Sequence, residues 1–99
     1  MTDESHRRAE SFRRTVRYSG RVQGVGFRAT ARATASGFRV TGYVKNLVDG
    51  RVLLVAEGTR DEVERFCAAL AAEMQRNIVS TDVDEAPGEP QFTNFTIEY

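Results

Sequence analysis

Gly24, Gly26, Arg28 and Asn46 are the residues of this 99-residue chain whose types and spacing could do chemistry. The run Gly20-Arg21-Val22-Gln23-Gly24-Val25-Gly26-Phe27-Arg28 joins a strand-like segment to a helix-like one. Two glycines one residue apart let the backbone turn through positive φ and bring its N–H groups close to a ligand. A helix starting behind such a turn offers unpaired N–H donors and the positive end of its dipole. Arg28 falls in the first helical turn, where its planar fork can grip two oxygens of one anion. With that guanidinium, the N–H groups of the glycine loop and the helix start describe a cradle for a phosphate or a carboxylate. Gly-x-Gly also serves ordinary turns, so the order strand, glycine loop, helix and arginine carries the reading, not the glycines alone. The third glycine of a dinucleotide fingerprint and the Gly-Lys-Ser/Thr ending of a P-loop are both missing.

Other chemistries find little support. The only histidine, His6, lies in a polar N-terminal stretch, so neither a histidine base nor a histidine metal site is expected. No cofactor motif is present. Cys67 stands on the apolar stripe of a helix with no histidine beside it, which reads as a packed thiol rather than a nucleophile. A single cysteine forms no internal disulfide, which favours a reducing, cytoplasmic setting. No apolar run approaches membrane-spanning length, and the N-terminus shows no signal-peptide pattern. Hydrophobic content of 40% with 28% charged residues suits one folded domain.

Charge is balanced in total and uneven along the chain. Residues 1–56 hold eleven Arg and Lys against four Asp and Glu, and residues 57–99 hold three against ten. The basic half contains the glycine loop, where a positive field would concentrate a small anion. Pairing between elements from the two halves would cancel it. A sequence pI near 6.6 argues against nucleic acid as a partner.

Periodicity assigns these residues to regular elements. Met1 to Arg14 is polar and aperiodic and reads as a flexible arm, leaving residues 15–99 as the domain. Thr15 to Val22 alternates as a strand, with Val16, Tyr18, Gly20 and Val22 on one face. Phe27 to Ser36 is an alanine-rich helix with Gly37 as its stop. Phe38 to Asn46 and Val52 to Glu57 are strands joined through Asp49-Gly50, a hairpin signal. The consecutive apolar residues Leu53-Leu54-Val55 imply cover on both faces. Thr59 and Glu62 form a capping box for a helix whose core stripe is Val63, Phe66, Cys67, Leu70 and Met74. Asn77 to Ala86 reads as a strand, Pro87 to Pro90 as a turn, and Phe92 to Tyr99 as a last strand.

This order is β-α-β-β-α-β plus one strand. It is the ferredoxin-like α+β plan, with two helices on one face of an antiparallel sheet. In that plan the first and second strands run the same way with the third between them. Their C-terminal ends share an edge, so the glycine loop and Asn46 converge.

With both segments in view, the chain resembles the acylphosphatase family. Gly20 to Arg28 is similar to the family's phosphate-binding loop. Gly42-Tyr43-Val44-Lys45-Asn46, with Gly50, Val52 and Gly58 downstream, is similar to its second signature. The resemblance covers about Val16 to Tyr99. It implies hydrolysis of a small acyl phosphate to a carboxylate and inorganic phosphate, without metal. A cytoplasmic monomer with no cofactor and no nucleic-acid or membrane partner is expected. The resemblance also implies that Arg28 and the amides of Gln23 to Arg28 bind the phosphoryl group, and that Asn46 holds the attacking water. Two departures stand out. Tyr18 replaces a usual aliphatic residue, and Glu73 to Ile78 replaces a Gly-Pro pair common before the fourth strand. The alternative reading is a phosphate- or carboxylate-binding module of the same fold without turnover.

Overall fold

The computed structural model, which describes residues 11–99, contains five strands. β1 (Ser11–Gly20), β2 (Thr41–Asn46), β3 (Val52–Thr59), β4 (Ile78–Pro87) and β5 (Phe95–Glu98) form one sheet in the order β4-β1-β3-β2-β5. Two helices, α1 (Phe27–Ala35) and α2 (Arg60–Glu73), pack together on one side of it around a single core. This is the expected ferredoxin-like α+β plan. β1, β2, β3 and β4 pair antiparallel, with Val16 opposite both Leu54 and Val83. β5 departs from the expected antiparallel sheet: it lies parallel to β2, with Gly42 opposite Phe95 and Val44 opposite Ile97.

The parallel pairing has a physical cause. β4 and β5 occupy opposite edges, so residues 88–94 must cross the sheet between them. A buried carboxylate holds that crossing. Glu57, 1% exposed on the face away from the helices, accepts from Arg13 Nε at 2.7 Å and from the backbone N–H groups of Gln91 and Phe92 at 2.6 and 3.2 Å. Phe92 then sets its ring edge-on to Tyr43, 5.5 Å between centroids. This cover is why Val55 is buried although its side chain points away from the helices.

β1 begins at Ser11, so residues 11–14 belong to the sheet and not to an arm. Arg14 hid this. It stands where the alternation calls for an apolar residue, and its guanidinium is carried outward to Glu85 at 2.6 Å and Glu64 at 3.5 Å. Residues 1–10, with His6, Arg7 and Arg8, lie outside the described residues.

α1 buries Phe27, Ala31 and Ala35, and the small alanines let it sit close to the sheet. It ends through i−3 bonds, Ser36 to Ala33 and Gly37 to Thr34, and not through a left-handed glycine at Gly37. The α2 cap is half of the expected box. The Glu62 N–H donates to Thr59 Oγ1 at 3.3 Å, but the Glu62 carboxylate turns to the Arg39 N–H at 2.7 Å. The segment from Met74 to Ile78, between α2 and β4, is a hydrogen-bonded turn. The N–H groups of Asn77 and Ile78 both reach Met74 O, and Arg21 N–H reaches Asn77 O. No helix among the described residues is long and apolar enough to cross a membrane.

Two outcomes test this packing. Replacing Glu57 with Ala leaves Arg13 and two backbone N–H groups without their acceptor, and should lower stability by about 2–3 kcal/mol in urea unfolding. Burial pushes the Cys67 thiol above its usual range, with Arg14 opposing. Near pH 8 it should therefore react with a disulfide reagent roughly tenfold or more slowly than in the unfolded chain.

Candidate active site

β1 and β2 run in the same direction on either side of β3, so their C-terminal ends meet at one edge. β5, parallel to β2, brings a third C-terminal end there. The connection from β1 to α1 holds Gly24 at φ 77° and Gly26 at φ 81°. A Cβ at either position would meet no atom within 4 Å, so the backbone angle requires glycine and crowding does not.

Gly26 is the N-cap of α1 and supplies no capping side chain. The first helical bond runs from the Thr30 N–H to Gly26 O at 2.9 Å. The N–H groups just before it, on Phe27, Arg28 and Ala29, have no partner within the helix. No acidic residue occupies this first turn, whereas α2 begins with a threonine cap followed by Asp61 and Glu62. One helix has its positive end neutralised by its own sequence, and the other leaves it open.

Arg28 adds a cation at that open end. Its Cζ lies 4.8 Å from the centre of the Tyr99 ring, and its Nη1 donates to Glu98 O at 3.4 Å. The guanidinium thus rests against the end of β5. Among the described residues it forms no ion pair, whereas three other arginines of the first half pair with carboxylates of the second. Arg13 meets Glu57, Arg14 meets Glu85, and Arg17 meets Asp84 across strand pairs. Part of the charge asymmetry of the sequence is thus cancelled along the sheet, and Arg28 stands outside that cancellation.

A pocket of about 200 Å³ gathers Gly24, Gly26, Phe27, Arg28 and Asn46, together with Val22, Ala29, Ile97 and Tyr99. Asn46 is the last residue of β2, partly buried and opposite Val52. Five of the seven residues singled out in the sequence therefore line one cavity. The other two do not: Val25 is 37% exposed, and Gln23 turns its side chain toward the β2–β3 hairpin.

Sequence reasoning missed Tyr99, Glu98 and the Gln23 side chain. Period two put Phe95, Ile97 and Tyr99 on one face. Only the pairing of β5 with β2 brings Tyr99 to Arg28, and no local pattern fixes that partner. The pocket lining contains no His, Asp, Glu or Cys side chain. The arrangement is suited to holding a small anion by charge and N–H donors, and to orienting a neighbouring molecule by an amide. It is not suited to proton relay by a side chain.

Known proteins of this kind are numerous. The family model described as Acylphosphatase matches residues 14–97. An acylphosphatase of Methylococcus capsulatus is 42% identical over 87 residues, covering 83% of this chain and 90% of that protein. One from Syntrophotalea carbinolica is 54% identical over 55 residues, a stretch spanning 56% of this chain and 60% of that protein. The crystal structure of acylphosphatase from Bacillus subtilis superposes with a TM-score of 0.79 at 30% identity, over 89% of this chain and 99% of that one. By its family match across nearly the whole length, and by a fold shared with a solved member, this chain belongs to the acylphosphatase family.

Proposed function

We propose that the protein hydrolyses a small acyl phosphate to a carboxylate and inorganic phosphate at the Gly24–Arg28 pocket. The observation that carries this reading is the meeting of an uncapped helix start, two left-handed glycines, Arg28 and Asn46 in one cavity. On this reading the loop amides of Gln23 to Arg28 hold the phosphoryl oxygens, and Arg28 neutralises their charge as the bond to the leaving group breaks. Asn46 accepts from the attacking water through its carbonyl oxygen and fixes its line of approach.

Such a site has enough to work with. Phosphoryl transfer depends mainly on positioning and charge stabilisation. A carboxylate leaves readily without a general acid. The water's proton passes to a phosphoryl oxygen of the substrate, since an amide is a poor base. This matches a lining without His, Asp or Glu side chains. The reading also has the protein act as a monomer on a small molecule in the cytoplasm, with no metal, nucleic acid or membrane taking part.

Benzoyl phosphate hydrolysis in EDTA is the test. Arg28→Ala should reduce turnover by roughly a hundredfold to a thousandfold or more while the protein stays folded. Asn46→Ala should reduce it by a comparable factor with less effect on inhibition by phosphate. A folded wild-type protein that binds phosphate and turns nothing over would instead be an anion-binding module. The rate should also stay flat with pH between about 7 and 8, because the pocket lining holds no His, Asp, Glu or Cys side chain to act as acid or base. A steep break there would contradict the proton path.

A further inference from the structure

Gln23 joins the two halves of the site. Its side-chain nitrogen Nε2 carries two hydrogens. It donates to Leu47 O at 2.7 Å and to Arg51 O at 2.9 Å. Those two carbonyls stand at the base of the β2–β3 turn, where the Leu47 N–H also donates to Arg51 O at 2.8 Å and the Gly50 N–H to Leu47 O at 3.2 Å. Leu47 directly follows Asn46. Among the described residues, no other side-chain hydrogen bond links residues 21–26 to residues 46–51.

The link matters because β1 and β2 are not neighbours. β3 lies between them, so their ends are two strand spacings apart, roughly 10 Å. Both turns leave the sheet, and the ladder stops holding them in register. A water held by Asn46 must still be placed against an anion in the glycine loop to within about half an ångström. The Gln23 carboxamide is partly buried and uses both of its donors on the segment that follows Asn46.

We infer that Gln23 is a positioning residue: its side chain sets the distance between the anion cradle and Asn46, and it acts on turnover through Asn46. The inference rests on the acyl phosphate hydrolysis proposed above. A plain loop tether would behave differently. Its loss would loosen the cradle and weaken phosphate binding, and it would not depend on what stands at position 46.

The experiment is a double-variant cycle with benzoyl phosphate as substrate and inorganic phosphate as inhibitor, with folding followed by circular dichroism. It compares wild type, Gln23→Met, Asn46→Ala and the double variant. Gln23→Met should lower kcat by roughly tenfold to a hundredfold and leave the phosphate inhibition constant within about twofold. The double variant should be no slower than Asn46→Ala alone, because the lost positioning has nothing left to act on. An unchanged kcat, a phosphate affinity that falls in step with kcat, or effects that multiply in the double variant would each overturn the inference. If Gln23→Met does not fold, Gln23→Leu takes its place with the same expectations. It is close in size, uncharged, and has no donors for the two carbonyls. A wild-type protein without turnover overturns the reading of the site, and the inference with it. Turnover in wild type with an unaltered Gln23→Met overturns the inference alone.

Discussion

An arginine in the first turn of an uncapped helix is an electrostatic conflict that an anion resolves. Arg28 stands beside N–H groups that have no helical partner and carry the positive end of the α1 dipole. Two positive features in one place repel by a few tenths of a kcal/mol to about 1 kcal/mol when nothing negative lies between them. The fold holds the conflict in place. Left-handed Gly24 and Gly26 turn the chain into the helix without a capping side chain. Tyr99 and Glu98 O hold the guanidinium from the β5 side.

The sheet supplies the frame. Arg14 apart, its core face is apolar, from Phe12, Val16 and Tyr18 on β1 through Val52, Leu54 and Ala56 on β3 to Val44 on β2. That core fixes three strand ends at one edge, and the site is built from the residues at and just beyond those ends. The crossing of residues 88–94 is part of this frame, because it delivers β5 to the edge where Tyr99 meets Arg28. Glu57 anchors the crossing from the opposite face, so a buried carboxylate far along β3 has a bearing on where the arginine rests.

Much of this was legible in the sequence. Alternation marked β2 and most of β1, a hairpin signal with an apolar run marked β3, and a capping threonine with a clean apolar stripe marked α2. The glycine pair and Arg28 were readable as a candidate anion cradle before any pairing was known, and the fold gathers them with Asn46 in one cavity. The features that stayed hidden share one property: they depend on contacts distant in sequence. The start of β1 was masked by Arg14, a charged residue at a core-facing position made tolerable by Glu85 and Glu64. The direction of β5 depends on an edge choice that its own residues do not encode. Glu57 and Gln23 read as ordinary polar residues until their partners, 34 and 24 positions away, are in place.

The central claim is that the Gln23 to Arg28 amides and the Arg28 guanidinium hold a phosphoryl-sized anion. Titrating inorganic phosphate into isotopically labelled protein, with amide and arginine side-chain shifts recorded, tests it most directly. Saturable shifts concentrated at Gly24 through Arg28 and at the Arg28 side chain are the predicted result. Shifts absent from that loop, or centred on another surface while the loop stays silent, would contradict it.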